Sequence, residues 1–379
     1  MKTILFDLYN SQPFKQSKYH GGGEYIKTIF KYLVDNKLDQ INLVTFFDKD
    51  KFLDEYILKL IEDNNIKCFY IKELQEIKNI FPKIHIDILY SGIPYYYKKE
   101  WFPKNLVFKG TIHGLRYLEK PTDQYAPLYF VGMESLKERV KLIFKEQFRR
   151  KKYNEFKNLI TIIDEMIIVS NHSYFSLVSF FPEVLKKKNY VLYTPSKQYN
   201  YCEQSETDYD FPYILLMGGN RWEKNCYREI MAIENLFKKG LIKDYKVVVI
   251  GRVTNKITKK IRDLDKYIFK DYVGSNELEK LFKFTELFMY CSLNEGFGMP
   301  PLEAMKYGKT CIVSGVCSLP EVCGNAVYYV NPYDINEISG RILNALRYKI
   351  NIKEVVKRVE DIRRKQDEDL EKTCEVIIK

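Results

Sequence analysis

The chain has 379 residues, 46% of them hydrophobic and 29% charged, which provides for an ordinary globular interior and excludes intrinsic disorder. That length exceeds the size at which a single core stops growing, so two domains of roughly 150–200 residues are expected. Sixty-one basic against fifty acidic side chains give +11 and imply an acidic partner: nucleic acid, anionic lipid or a phosphorylated ligand. The longest apolar runs, such as Val247–Ile250, are too short to span a bilayer. The opening MKTILFDLYN carries an aspartate inside a short apolar stretch and reads as a buried strand, so a secretory signal is not expected. Eight cysteines show no C-x-x-C pair and no zinc-like spacing; despite the even spacing of Cys311, Cys317 and Cys323 they read as core thiols of a reducing cytosol.

Short β-branched runs alternate with stretches of helical period from end to end. Strands are predicted at Thr3–Leu8, Ile41–Phe46, Lys67–Ile71, Ile86–Tyr90, Val107–Ile112, Met166–Ser170 and Tyr190–Tyr193, then at Tyr213–Met217, Lys246–Ile250, Ile268–Val273, Leu287–Cys291, Thr310–Val313 and Ala326–Val330. Nearly continuous apolar strands separated by helices imply parallel sheets covered on both faces, hence two doubly wound α/β domains. After the first strand, Tyr19-His20-Gly21-Gly22-Gly23-Glu24-Tyr25 opens an amphipathic helix through Ile26, Ile29, Phe30 and Leu33. Glycines at a first strand–helix connection suit close approach of a ligand, but the spacing is not G-x-G-x-x-G. His113 ends a strand before Gly114. A lone histidine is more often structural, and His20, His85 and His172 are read that way.

The stretch Leu136–Lys157 (LKERVKLIFKEQFRRKKYNEFK) holds nine Lys/Arg and three acidic residues, a local net of +6. Leu136, Val140, Ile143, Phe144 and Phe148 recur at helical spacing, so a basic face would flank an apolar stripe. Packing of that stripe on the N-terminal sheet is the commoner fate; peripheral docking on the inner face of the cytoplasmic membrane is the competing expectation. The polar stretch Thr194–Phe211 has no apolar periodicity and is longer than an ordinary loop, which favours an interdomain linker. The predicted division is therefore 1–195, 196–350 and a charged helical segment 351–379 packing back on one of the domains, the N-terminal one in the reading adopted.

Two stretches carry chemistry most sharply. In Tyr213-Ile-Leu-Leu-Met217-Gly218-Gly219-Asn220-Arg221-Trp222-Glu223-Lys224-Asn225, a buried strand runs into two glycines and then two cations before a helix. Cations at a strand's carboxyl end can bind a diphosphate and stabilise charge as it departs, without a metal. The commoner fate of an isolated Arg/Lys pair is a solvated turn. In Leu287–Met305, glycines 296 and 298 follow a strand, prolines 300 and 301 suit a first helical turn, and Glu295 and Glu303 stand on either side. Backbone donors at that helix start suit phosphate oxygens, and the carboxylates suit hydroxyl-rich ligands. The plain alternative is a Gly-Pro turn with a glutamate complementing the helix dipole. No G-x-x-x-x-G-K-[ST] and no G-x-S-x-G occurs.

With these residues in view, Tyr213–Leu346 resembles the nucleotide-binding domain of GT-B-fold glycosyltransferases of family 4. The likeness rests on the E-x7-E element from Glu295 to Glu303, on Ser318-Leu319-Pro320-Glu321-Val322 with Gly324, and on Asn331-Pro332-Tyr333-Asp334. The N-terminal half is similar more loosely, through Gly21–Gly23, His113 and Ile167–Ser170. The resemblance implies a GT-B fold of two Rossmann-like domains, an N-terminal acceptor-binding one and a C-terminal one for the nucleotide sugar, with the active site in the interdomain cleft. It implies a retaining hexosyl- or deoxyhexosyltransferase, independent of metal and other cofactors, that moves a sugar from a nucleotide-diphosphate donor to a hydroxyl of a glycan or lipid-linked glycan acceptor in polysaccharide or glycoconjugate assembly. Arg221 and Lys224 would hold the diphosphate, Glu303 the ribose hydroxyls, and Glu295 with the backbone of Phe297, Gly298 and Met299 the donor sugar and its phosphates. Gly22 and Gly23 would let the N-terminal domain close on the diphosphate, with His113 near the transferred sugar. Two departures stand out: Arg221 and Lys224 are closer together than the usual pattern, and glycine follows His113 where aspartate is frequent. Rival readings are a GT-B-type epimerase or phosphorylase and, from another class, a basic nucleic-acid-binding protein. The absence of any nucleic-acid recognition motif in the sequence counts against the last.

Overall fold

The computed structural model describes residues 1–13, 19–196, 206–348 and 350–379. Two compact units emerge, one from Met1–Leu115, Lys151–Gln198 and Arg363–Lys379, the other from Arg116–Arg150 and Tyr199–Ile362. Both are doubly wound parallel sheets with helices between the strands, as the apolar runs require.

The first unit contains β1 (Lys2–Asp7), β2 (Ile41–Phe47), β3 (Lys67–Tyr70), β4 (Ile88–Ser91), β5 (Val107–Ile112), β6 (Glu165–Ile168) and β7 (Lys188–Val191), in the spatial order β3-β2-β1-β4-β5-β6-β7. The central register places Ile4 between Leu43 and Ile88, all buried. The second unit contains β8 (Tyr213–Met217), β9 (Lys246–Ile250), β10 (Tyr267–Lys270), β11 (Leu287–Tyr290), β12 (Cys311–Ser314) and β13 (Tyr328–Val330), ordered β10-β9-β8-β11-β12-β13. Leu215 lies between Val248 and Phe288 at its centre. Strand order reverses between β1 and β4 in one sheet and between β8 and β11 in the other. A crevice for ligands opens at such reversals, outside the carboxyl ends of the strands.

The units are not two contiguous halves, which differs from the predicted division at residue 195. Residues 116–150 leave the first sheet and pack with the second. Arg228 donates to both Asp123 carboxylate oxygens at 3.1 Å, the Tyr227 amide donates to Tyr129 Oη at 2.7 Å, and Ala126 and Tyr129 are buried in the second core. The long helix Ile352–Ile378 also divides. Arg358 bonds the Val322 carbonyl in the second unit, while Gln366, Asp369 and the Val376 carbonyl bond Thr194, Tyr193 and Lys109 of the first. Of the predicted linker Thr194–Phe211, residues 197–205 lie outside the described residues, Cys202 among them. The seven described cysteines are free.

The single helix predicted over 136–157 is two helices, Gly132–Ile143 and Lys145–Ile162, broken where Phe144 leaves helical geometry (φ −104°, ψ 38°). The first docks by its polar side: Ser135 and Glu138 are buried, and Ser135 Oγ donates to the Pro127 carbonyl at 2.9 Å. Most of the apolar stripe is therefore turned out; Phe148 is half-buried, its ring edge-on to Tyr117. Leu136, Val140, Ile143 and Phe144 are 55%, 45%, 76% and 51% exposed, with Val131 and Met133 exposed beside them.

Candidate active site

In the second unit, the segments following β8 and β11 converge at the strand reversal. Gly218 has φ +93°, and a Cβ there would come within 2.5 Å of Lys224 Cγ. A glycine thus both makes the turn and leaves space for the lysine stem to fold back over the strand end. Lys224 closes the short 3₁₀ turn Trp222–Lys224 and donates to Glu295 Oε1 at 2.5 Å and to Tyr290 Oη. Glu295 also accepts from Tyr290 Oη at 2.8 Å and from Ser292 Oγ at 2.6 Å. The Lys224 and Glu295 side chains are each 12% exposed, so this is a largely desolvated ion pair with its polar neighbours satisfied. Burial pushes the Lys224 pKa down, opposed by the facing carboxylate and aided by Arg221. Burial alone would raise Glu295; attraction to Lys224 and hydrogen bonds from Lys224 and Ser292 outweigh it and hold the carboxyl below its ordinary range.

A second carboxylate organises the guanidinium beside this pair. Glu223 Oε1 accepts from Arg221 Nε and Nη2 at 2.9 and 2.7 Å, and from Arg116 Nη1 at 2.5 Å. Burial acts to raise Glu223, but the two arginines prevail and hold it at about 2. Arg221 is half exposed. Asn294, one residue before Glu295, donates to Glu119 and lies 3.3 Å from Cys317 Sγ.

Arg221, Lys224 and Glu295 form one cluster. Phe297, Gly298 and Met299 follow directly; the Phe297 ring is buried, and its carbonyl and that of Glu295 accept from Ser318 Oγ at 2.8 and 3.1 Å. Glu303 is half-buried on the seven-residue helix Met299–Met305, and its charge contributes to raising the Tyr290 pKa. Sequence reasoning missed Tyr290, Ser292, Glu223 and Arg116. The pattern Arg-x-Glu-Lys was a visible signal for Glu223, a carboxylate set between two cations. Nothing local marks Arg116, whose position depends on the packing of 116–150.

The other three predicted site residues belong to the first unit. Gly21–Gly23 are not a loop but the first turn of the helix Gly21–Lys37, capped by His20 Nδ1, which accepts from the Gly23 amide at 3.0 Å. Gly23 has a packing reason as well, since a Cβ would stand 2.7 Å from the Ser11 carbonyl oxygen. Gly22 lies against Ile93, just past β4. His113, past β5, donates from Nε2 to the Gly92 carbonyl at 2.8 Å, and the Tyr25 ring meets it edge-on at 4.8 Å. Desolvation lowers its pKa to about 4 against the pull of that carbonyl, so the ring is neutral at pH 7.

Comparison with known proteins bears on the family and the fold. The chain is 30% identical over 160 residues to O-antigen chain mannosyltransferase RfbU of Salmonella typhimurium, covering 41% of this chain and 43% of that one. A 71-residue stretch is 42% identical to the serotype-specific mannosyltransferase WbdA of Escherichia coli, covering 19% of this chain and 9% of that relative. The chain thus spans less than half the length of these relatives. Sucrose-phosphate synthase from Thermosynechococcus elongatus superposes with a TM-score of 0.73 at 13% identity, covering 99% of this chain and 98% of that one, a likeness of fold. The fold is that of the GT-B glycosyltransferases, and residues 200–370 match the family model described as Glycosyl transferases group 1.

Proposed function

We propose that the protein is a retaining, metal-independent glycosyltransferase that moves a sugar from a nucleotide-diphosphate donor to a hydroxyl of a glycan acceptor in cell-surface polysaccharide assembly. The names of the relatives favour mannose as that sugar. The observation that carries the reading is the cluster of Arg221, Lys224 and Glu295 at the β8/β11 reversal, inside the matched domain. The barrier to transfer is separation of a diphosphate from an oxocarbenium-like sugar. Fixed cations in a poorly hydrated site stabilise the departing charge without reorganising. Lys224 and Arg221 have that role here, Glu295 positions Lys224 and faces the donor sugar, and Glu303 takes the ribose hydroxyls. The family resemblance gives His113, neutral and fixed through Gly92, a role at the transferred sugar, and Gly22 and Gly23 one at the diphosphate. The test is product analysis after incubation with nucleotide-activated mannose and a polysaccharide acceptor. Transfer of mannose supports the reading; isomerisation of the donor with no transfer would assign an epimerase instead.

The same reading places the enzyme at the cytoplasmic leaflet, using a lipid-linked glycan as acceptor. Its support is the outward stripe of Leu136, Val140, Ile143 and Phe144 beside Lys137, Arg139, Lys145, Arg149 and Arg150, an apolar edge with a cationic border.

A further inference from the structure

Glu223 receives three N–H donors from two guanidiniums on one oxygen. One carboxylate cannot neutralise two guanidiniums, and holding them side by side costs repulsion. With Lys224 and Glu295 included, three cations face two carboxylates, a net charge of +1 among these five side chains. Arg116 is also incompletely satisfied: Nη2 donates to Tyr117 Oη at 2.9 Å, but Nε is buried and has no hydrogen-bond partner among the described residues. A buried donor left unpaired is costly unless something else accepts from it. Arg116 opens the segment 116–150, and the buried Asp123–Arg228 pair pins that segment to the second unit nearby. The pinning fixes the chain near Arg116, and the bond to Glu223 orients its guanidinium.

Resting on the donor-site reading above, we propose that Arg116 is a third cation for the donor diphosphate, and that Glu223 is a positioning residue holding Arg116 and Arg221 as a pair. A diphosphate supplies the charge the cluster lacks and acceptor oxygens for guanidinium donors that Glu223 leaves over.

The experiment measures binding of UDP, GDP and dTDP, and of the corresponding nucleosides, to the full chain by isothermal titration. Wild type is compared with Arg116→Gln, Arg116→Lys, Glu223→Gln and Lys224→Ala. Gln at 116 keeps a donor for Glu223 without the charge, so folding and charge are tested separately. Arg116→Gln is expected to weaken the bound diphosphate about 10- to 100-fold, the worth of one or two charge-assisted hydrogen bonds, and to leave the nucleoside within about twofold. Arg116→Lys should recover part of the loss, and Glu223→Gln should weaken the diphosphate as well. Arg116→Gln binding the diphosphate as wild type does, while Lys224→Ala does not, overturns this inference alone. A wild type that binds none of the three diphosphates overturns the donor-site reading and this inference with it.

Discussion

Lys224 Nζ donates to Glu295 Oε1 across 2.5 Å, joining the segment after β8 to the segment after β11 at the one place in that sheet where strand order reverses. Two residues 71 positions apart are thereby held as a desolvated pair beside Arg221. The centre of the sheet is built from other residues, Leu215, Val248 and Phe288 among them, all buried. The pair therefore has a consequence for chemistry that a surface ion pair lacks.

Lys224→Ala is expected to lower turnover ~100-fold or more, the loss of one preorganised electrostatic donor. The melting temperature should also fall, since Glu295 keeps Tyr290 and Ser292 but loses its cation. Steady-state kinetics beside a melt checks both. A folded variant with turnover within a few-fold of wild type means the diphosphate is held elsewhere.

Chelation is expected to leave initial rates nearly unchanged, because Arg221, Lys224 and Arg116 can meet the leaving charge that a divalent ion would otherwise meet. Rates measured with and without EDTA decide it. Activity abolished by EDTA and restored by magnesium or manganese contradicts the assignment.

The protein should float with anionic vesicles at low salt and release at high salt, when the Debye length shortens. Each basic residue at such a surface contributes roughly 1 kcal/mol, so reversal of Arg149, Arg150, Lys151 and Lys152 to glutamate should abolish flotation. Ile143→Asp should do so as well with stability changed by less than about 0.5 kcal/mol, since Ile143 is 76% exposed. Equal flotation with neutral vesicles, or charge-reversed and Ile143→Asp variants that still float, would leave these helices with a structural role only.

Glu229 is fully buried behind the end of β11, where Oε1 accepts from the Cys291 amide at 2.7 Å. Burial raises its pKa from 4.5 to about 7, the hydrogen bond opposing. The folded state thus binds a proton that the unfolded state releases between about pH 4.5 and 7, and this group's contribution to stability falls as pH rises through that window. At pH 8 the penalty is about 3 kcal/mol. Glu229→Gln should remove it, narrowing the stability difference between pH 5 and pH 8 in urea titrations. His113 acts in the opposite sense. Depressed to about 4, it costs stability as pH falls from about 6.5 toward 4, so the comparison needs the single variant rather than the wild-type profile.

Each predicted strand has a counterpart in the described sheets because its signal is local: an unbroken apolar run, such as Val247–Ile250, has to be covered on both faces. The Arg221/Lys224 and Glu295/Glu303 elements were legible for a related reason, since their glycines and charges sit within a few residues of strand ends. The role of 116–150 was not legible, because it depends on Asp123 meeting Arg228 and Tyr129 meeting Tyr227 across about a hundred residues. The direction of the apolar stripe was hidden likewise. Periodicity located Leu136, Val140 and Ile143 on one face, but burial of Ser135 and Glu138 on the other decided which side docks. Gly21–Gly23, expected at the connection into the helix, lie inside its first turn, with Gly23 against Ser11 and Gly22 against Ile93.

The measurement that tests the central claim most directly is a thermal-shift titration with uridine, guanosine and thymidine diphosphate sugars on wild type and an Arg221→Ala/Lys224→Ala double variant. A ligand that binds only the folded state stabilises it by about 2.7 kcal/mol at a hundredfold excess over Kd. The expected result is that one nucleotide class raises the wild-type melting temperature saturably and that the folded double variant loses the response. No shift with any of the three, or the same shift in both proteins, would contradict the assignment of this cluster as a nucleotide-sugar site.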